Sequence, residues 1–160
     1  GKSLFKPGGH LDSIHILVEG LMYVYYTHSN GKEKVKGFVK GGDTVTPYMD
    51  WQKGLNAFCG AKALEPSQLL MIPAPSLRNL AEESRVLEKN LRKDLEEKIV
   101  EREHKEYQLL MLNAKERYED FIHNHESIID RLPLKLVASY IDVDPATLSR
   151  IRSRQTVMGA

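Results

Sequence analysis

The sequence predicts an α+β chain in which an antiparallel β-barrel or β-sandwich is followed by a long helix and a small helical domain. Three observations lead to this prediction. Short apolar and β-branched runs separated by glycine-containing turns fill residues 1–75. Residues 76–112 contain neither glycine nor proline and repeat leucine at helical spacing. Residues 113–160 contain several short helical patterns, two of them around a tight turn.

The strand predictions rest on local composition. Residues 13–18 are apolar and partly alternating, residues 21–27 are rich in tyrosine, and residues 33–39 form a third such run. Asn30-Gly31 precedes the third run and indicates a hairpin, because both residues tolerate positive φ. A buried-strand run over residues 69–72 closes the series. Short strands at this spacing are typical of antiparallel barrels and sandwiches.

Composition limits the classes of protein to consider. The 160 residues are 41% hydrophobic and 28% charged, with a net charge of +1, which is a globular composition. One cysteine, Cys59, excludes an internal disulfide and a cysteine-ligated iron–sulfur cluster, and we expect it in the core or at a strand edge. No secretory signal or membrane-length apolar run is present, so we expect a soluble, cytoplasmic protein. We also expect the natural chain to begin upstream of Gly1, because a strand pattern starts at once.

The predicted long helix carries an apolar seam that is suited to a homodimer contact. Its members recur at four-residue steps, and they are Leu87, Leu91, Leu95 and Ile99. A helix of this length exceeds what a small domain needs internally, and such helices often pair with their symmetry copies. The seam is mostly charged over residues 100–105, so a short dimer contact is favoured over a long coiled coil. A capping box of Asn113 and Glu116 predicts a new helix from Ala114.

The last part of the chain has the pattern of a helix-turn-helix over residues 134–155. The apolar face of the first helix comprises Leu134, Val137, Ala138 and Ile141. Asp142-Val143 forms the turn, and aspartate tolerates the left-handed conformation that such turns use. Asp144 is a suitable N-cap and Pro145 a suitable first helical residue. The pattern therefore predicts a two-helix corner in which the second helix presents one polar face.

That polar face supplies the candidate DNA-binding residues. They are Thr147, Ser149, Arg150, Ser153 and Arg154. Arg150 is placed to donate two hydrogen bonds to a guanine, whereas Thr147 and Arg154 suit phosphates. The helix carries three arginines and no acidic residue, which is compatible with double-stranded DNA as a partner. The alternative is an ordinary two-helix corner with a solvated face.

The chain as a whole resembles the Crp/Fnr superfamily of transcription regulators. The resemblance rests on the segments 17–20, 30–33, 42–43, 63–72, 114–118, 132–140 and 148–152. It implies a jelly-roll barrel of the cyclic-nucleotide-binding type over residues 1–75, a dimerisation helix over 76–112 and a DNA-binding domain over 113–160. It also implies a homodimer in which Arg150 reads bases. RNA polymerase and an unidentified small-molecule effector are further candidate partners.

Several positions depart from the family pattern. Nucleotide-binding members carry a glutamate for the ribose and an arginine for the cyclic phosphate, but the aligned segments here are 44–47 and 57–59, without charge. A buried phosphate without a cation is very costly, so we expect no cyclic AMP binding in the usual mode. Tyr48 and Trp51 either line an effector pocket or fill it. The resemblance would place a winged hairpin after the recognition helix, and residues 156–160 are too few to form it.

No catalytic or metal-binding constellation is recognisable. The aspartates and histidines have no triad, metal or phosphate-loop spacing, so we expect neither an enzyme nor a cofactor. Six histidines leave haem sensing open, although we expect His15, His28, His104, His123 and His125 at the surface or in turns. Two alternatives remain. One is a dimeric module with a degenerate barrel that binds a protein partner, and the other is a regulator whose barrel is only a scaffold.

Overall fold

The computed structural model describes residues 1–47 and 56–158, and for residues 155–158 the backbone alone. The chain divides into two compact units, Gly1–Asn90 and Leu91–Ala160. The described strands are β1 (Ser3–Phe5), β2 (Ser13–Glu19), β3 (Leu21–Thr27), β4 (Glu33–Lys40), β5 (Gly60–Ala63) and β6 (Gln68–Pro73). The helices are α1 (Ala74–Glu83), α2 (Arg85–Met111), α3 (Ala114–Asn124), α4 (Leu134–Tyr140) and α5 (Pro145–Met158), with a 3-10 turn at Ile129–Arg131.

The strands of the first unit form two antiparallel sheets. One has the order β1-β5-β3-β4, and the other pairs β2 with β6. Four of the strand predictions are confirmed within two residues at each end, as is the antiparallel class, whereas β5 was not predicted. An isolated bridge joins Ile16 to Thr44. The core combines residues of both sheets, among them Leu17, Met22 and Ala61, with Cys59, which lies just before β5. The expectation that Cys59 lies in the core is therefore confirmed.

Two glycines are required by the backbone and by close packing in this unit. Gly20, between β2 and β3, has φ of 110°, a conformation that side chains disfavour. A β-carbon there would also lie 2.8 Å from the carbonyl oxygen of Pro66. At Gly60, a β-carbon would lie 2.5 Å from the hydroxyl of Tyr25, so the ring of Tyr25 occupies the space of the missing side chain. Gly20 therefore lets the turn after β2 approach the segment before β6, and Gly60 makes room for the ring of Tyr25.

The predicted helix over residues 76–112 is interrupted, so the prediction of one continuous helix is wrong. Ser84 separates α1 from α2 with φ of −124° and ψ of 103°. Its amide donates to the carbonyl of Leu80 and its hydroxyl accepts from the amide of Leu87. Serine competes well for helix ends because its side chain replaces a missing backbone partner. The remaining α2 is 27 residues long, or about 40 Å.

The second unit is entirely helical in its described part. The predicted capping box is confirmed: the side chain of Asn113 accepts from the amides of Lys115 and Glu116, and the Glu116 carboxylate accepts from the Asn113 amide. The core joins α3, α4 and α5, and its most buried side chains include Phe121, Val137, Ala138, Ile141 and Leu148. Apolar residues at helical spacing therefore supply the core of this unit, as the sequence predicts.

A buried histidine corrects the expectation that His15 lies at the surface or in a turn. His15 lies in β2 and is only 7% exposed. Its backbone amide donates to Thr46 Oγ1 at 2.8 Å, and its Nδ1 lies 3.0 Å from the same oxygen. Burial lowers the pKa of His15, and the nearby carboxylate of Asp12 opposes this in part. The neutral ring is therefore the form that the folded chain favours.

We predict that the first unit loses stability as the pH falls below the ordinary histidine pKa of about 6.5. In the unfolded chain His15 binds a proton at its ordinary pKa, whereas in the folded chain its pKa is lower. The unfolded state therefore binds more protons in acid, and acid favours unfolding. The loss begins as the pH passes below the unfolded-state value and stops below the folded-state value. Urea denaturation between about pH 7.5 and pH 5 measures it through the midpoint.

The matched variants are His15→Gln, which keeps a polar partner for Thr46, and His28→Gln at an exposed turn. We expect His15→Gln to flatten the pH dependence of the urea midpoint and His28→Gln to leave its slope unchanged. A slope that persists in His15→Gln would show that another group controls the acid response.

Candidate nucleic-acid interface

The turn between α4 and α5 is tight and is built by local backbone geometry. Asp142 has φ of 58° and is the one residue other than glycine with a positive φ in the described part of the chain. The amide of Val143 donates to the carbonyl of Ala138 at 3.0 Å, which closes the end of α4. Ala138 and Leu148 are both completely buried, so the two helices of the corner bury each other's inner face. The left-handed Asp142 and the small residue in α4 match the sequence prediction.

The start of α5 is capped as predicted. Asp144 Oδ1 accepts from the amide of Ala146 at 2.8 Å, and the Asp144 carbonyl accepts from the amide of Leu148. Pro145 is the first helical residue, where its lack of an amide proton costs nothing. The carboxylate lies at the positive end of the helix dipole. The cap therefore defines where the outward face of α5 begins.

The predicted DNA-binding residues lie along α5 with different exposures. Ser149, Arg150, Ser153 and Arg154 are exposed, whereas Thr147 is half-buried. Arg150 Nη2 donates to Thr147 Oγ1 at 3.1 Å, so these two side chains are already joined. The hydroxyl of Ser153 donates to the Ser149 carbonyl at 3.0 Å. Any contact of Arg150 with a ligand would therefore replace or share its bond to Thr147.

The charge of this surface has one sign. Residues 145–158 contain three arginines and no acidic residue. The nearest carboxylate along the chain, that of Asp144, is engaged in capping the helix. Three exposed arginines in the middle of a helix attract anions through their side chains, and the backbone dipole adds to this at the helix N-terminus. The geometry therefore suits a polyanion.

Sequence reasoning missed two cationic residues, Lys105 and Arg117, that contact the turn from outside. Lys105 Nζ donates to the Tyr140 carbonyl at 2.6 Å and lies 3.4 Å from the centroid of the Tyr140 ring. Arg117 Nε donates to the Ile141 carbonyl at 2.8 Å. The sequence did contain a signal for Arg117, because it lies on the inward face of an amphipathic helix. A cation in that position needs hydrogen-bond acceptors from neighbouring segments.

An aromatic group packs beside the turn. Tyr140 lies 5.2 Å from Phe121 and 5.5 Å from His125, measured between ring centroids, and the rings of Phe121 and His125 stack at 4.2 Å. Burial raises the pKa of Tyr140 to about 12, and the carboxylates of Glu101 and Asp120 add to this. Tyr140 is therefore a neutral, packed residue at neutral pH. His125 is half-buried and lies in the turn that follows α3, so the expectation that it lies at the surface or in a turn is confirmed.

The other predicted site residues have separate locations. Leu87, Leu91 and Leu95 are half-buried along α2, and Ile99 is 57% exposed. Tyr48 and Trp51 lie outside the described residues.

The segments 44–47 and 57–59, which the sequence comparison with the family singled out, are uncharged and largely buried. Ala57 and Cys59 are buried, Phe58 between them is 61% exposed, and the hydroxyl of Thr46 is engaged with His15. Among residues 1–47 and 56–158, no group of three or more histidine, cysteine, aspartate or glutamate side chains is placed to bind a metal ion. In the same ranges, no helix has both the length and the apolar character needed to cross a membrane.

Comparison with known proteins identifies relatives of both sequence and fold. Residues 1–84 match the cyclic nucleotide-binding domain family. The fumarate and nitrate reduction regulatory protein of Yersinia pestis is 30% identical over 124 residues, which are 78% of this chain and 49% of that protein. The anaerobic regulatory protein of Haemophilus influenzae is 31% identical over 121 residues, 76% of this chain and 46% of the relative. The chain thus spans about half the length of the curated relatives it matches.

Solved structures share the fold at lower sequence identity. FixK2 from Bradyrhizobium japonicum superposes with a TM-score of 0.86 at 16% identity, over 99% of this chain and 81% of its own. A CooA mutant from Carboxydothermus hydrogenoformans gives 0.80 at 16% identity, over 99% and 73%. The regulator CLP from Xanthomonas campestris gives 0.76 at 14%, over 99% and 84%. The chain therefore belongs to the cyclic nucleotide-binding domain family, and its homologues are regulators of the Crp/Fnr superfamily.

Proposed function

We propose that this protein is a homodimeric, sequence-specific DNA-binding transcription regulator of the Crp/Fnr type. The observation that carries the proposal is the acid-free, exposed face of α5, which begins at a capped N-terminus after a tight turn. Its curated relatives are named as regulatory proteins rather than enzymes, which supports the same class. The proposal treats α4, the turn and α5 as a helix-turn-helix.

In the proposed complex α5 lies in the major groove with its N-terminal half toward the bases. Arg150 exchanges its bond to Thr147 for two hydrogen bonds to a guanine, because a guanidinium fork matches the O6 and N7 acceptors. Thr147 and the helix N-terminus contact a phosphate, while Ser149, Ser153 and Arg154 contact neighbouring bases or phosphates. The phosphate contacts supply most of the salt-dependent affinity.

The proposed dimer uses the apolar seam of α2. Leu87, Leu91, Leu95 and Ile99 recur at one helical face, and pairing with a second copy would remove them from water. A two-fold dimer presents two copies of α5 and therefore recognises a site with two-fold symmetry.

The proposed role of the first unit is a jelly-roll sensor or scaffold that does not bind cyclic AMP in the family's usual mode. Residues 44–47 and 57–59 offer no carboxylate for the ribose and no cation for the cyclic phosphate. The hydroxyl of Thr46 is instead hydrogen-bonded to His15, so these two buried polar groups find their partners within the chain. RNA polymerase and an effector of another chemistry belong to the proposal as partners to be tested.

The first prediction from the proposed function concerns base recognition by Arg150. Selection of sheared genomic DNA by the purified protein should enrich fragments that share a two-fold symmetric site. Arg150→Ala should weaken binding to that site about 10- to 100-fold, because one bidentate contact discriminates by about 1–3 kcal/mol. A salt titration measures the affinity at several ionic strengths.

Arg152→Ala is the matched control, because it removes the same charge from the same helix about 200° around the axis from Arg150. We expect it to weaken binding less and to leave the selected sequence unchanged. If the wild type binds DNA weakly and without sequence preference, and neither arginine variant changes the affinity, the result would support the alternative of a module that binds a protein partner.

The second prediction concerns the dimer seam. Leu91→Glu combined with Leu95→Glu should raise the dimer dissociation constant at least about 100-fold, because two carboxylates would be buried in the interface. Sedimentation equilibrium at micromolar concentration measures the mass of each species. Lys89→Glu, at an exposed position of the same helix, should remain dimeric. A monomeric wild type would contradict the proposed interface.

The third prediction concerns cyclic nucleotides. Calorimetric titration with cyclic AMP should show no saturable binding up to about 1 mM, an affinity weaker than about −4 kcal/mol. The physical reason is the missing cationic partner for the phosphate. A cyclic-AMP-binding relative measured under the same conditions is the positive control. Saturation at micromolar ligand would show that other residues bind the phosphate.

A further inference from the structure

The end of α4 leaves successive backbone carbonyls that need partners. The last carbonyl groups of a helix accept no hydrogen bond from within the helix, and the helix dipole makes that end negative. Here the carbonyls of Tyr140, Ile141 and Asp142 follow one another through the turn. Lys105 Nζ donates to the first at 2.6 Å, and the guanidinium of Arg117 donates to the second at 2.8 Å and to the third at 3.2 Å.

Arg117 also contacts a second segment. Its Nη1 donates to the carbonyl of Leu112 at 2.7 Å, one residue beyond the end of α2. One guanidinium therefore connects the segment between α2 and α3 with the turn between α4 and α5. Three bonds from one planar group fix the distance and the angle between these segments, which a single point charge does not do.

The last turns of α2 are attached to α3 by a second polar cluster. His104 Nε2 lies 3.2 Å from both carboxylate oxygens of Asp120, and the side-chain amide of Gln108 donates to the same carboxylate. Gln108 is buried. Asn124 Nδ2 donates to Asp120 as well, at 2.8 Å. The last turns of α2, which carry Lys105, are therefore held against α3. The backbone position of Lys105 is fixed when its side chain contacts Tyr140.

The turn is followed at once by the start of α5. Asp142 and the N-cap Asp144 are two residues apart, and the carbonyl of Asp144 accepts the first helical bond of α5 from Leu148. A displacement of the turn is therefore carried directly to the N-terminal half of α5. Neither Lys105 nor Arg117 lies on α5, so neither belongs to the outward face proposed to contact DNA.

We propose that Arg117 and Lys105 are positioning residues that fix the turn between α4 and α5 against the end of α2, and thereby set the orientation of α5. The proposal rests on the proposed DNA binding only for its effect on affinity. The local effect on the turn follows from the hydrogen bonds alone. Removing the fork releases the turn while the apolar core around Phe121 and Leu148 remains.

The test uses the full chain with Arg117→Lys, which keeps the charge and loses the fork, and with Lys115→Met as the matched control. Lys115 is an exposed cation on the same helix, ion-paired with Glu119. Amide hydrogen exchange followed by NMR reports on single sites. In Arg117→Lys the amide of Val143 should exchange about 10-fold faster or more, while the amide of His125, which donates to the α3 carbonyl of Phe121, stays within about twofold.

DNA binding provides the second measurement. Arg117→Lys should weaken binding to the selected site about 10-fold, because a binding element displaced by about 1 Å loses much of its contact energy. The slope of affinity against salt should be unchanged, since Arg117 contacts no phosphate in the proposal. If the wild type binds no specific DNA, the proposed function fails, and the exchange at Val143 still decides whether the turn is positioned by Arg117.

Two results would overturn the inference. One is an unchanged exchange rate at Val143 in a folded Arg117→Lys variant. The other is an equal acceleration of all amides, which indicates general loss of stability and no local role. If Arg117→Lys does not fold, Lys105→Met decides the matter, since it leaves the guanidinium in place. It should accelerate exchange at Val143 in the same direction and by a smaller factor, and an unchanged rate there would contradict the inference.

Discussion

The reversal of the chain at Asp142 is the constraint on which the second unit depends. A left-handed residue outside glycine is uncommon, and it persists only where the surroundings favour it. Here the surroundings are the buried contact of α4 with α5 on one side and donors to the carbonyls of the turn on the other. If another residue adopted the left-handed conformation, Asp144 would no longer cap the N-terminus of α5. The cap, the exposed arginines and the buried Leu148 all follow from this one local conformation.

Backbone carbonyls, more than side-chain ion pairs, connect the parts of this unit. The described i,i+4 ion pairs along α2 are exposed, apart from the half-buried pair of Asp94 and Lys98, and pairs of this kind contribute little. The hydrogen bonds from Lys105 and Arg117 to backbone carbonyls are charge-assisted and partly buried. Loss of either donor would leave a carbonyl at the negative end of α4 without its hydrogen-bond partner. Their importance therefore comes from geometry, since they join segments that are distant in the sequence.

The first unit belongs to the cyclic nucleotide-binding domain family, and its segments 44–47 and 57–59 contain no charged residue. The two antiparallel sheets and their shared apolar core need only alternating apolar residues and turns, which this chain retains. Binding of a buried phosphate needs individual cationic side chains, which are a separate requirement from the packing of the sheets. The pair of His15 and Thr46 illustrates the difference, because it satisfies buried polar groups from within the chain. Family membership and ligand identity are thus separate questions here.

Most elements could be predicted because their signals are local. The hairpin at Asn30-Gly31, the capping box at Asn113 and the start of α5 at Asp144 each depend on residues within a few positions of one another. The break at Ser84 was also local, but the apolar repeat that continues on both sides of it indicated an unbroken helix. The strand β5 was missed because it is four residues long and contains glycine, alanine and lysine, which are poor strand formers.

The sequence by itself determined most of the segments that form strands or helices and the cationic character of α5, because these properties follow from residues within one element. Only the tertiary structure decided that Arg117 contacts Leu112, Ile141 and Asp142, and that His15 is buried against Thr46. These contacts join residues up to 31 positions apart. A periodic pattern records which side of an element faces inward, but it does not record which distant donor meets which acceptor, since that depends on how the elements pack.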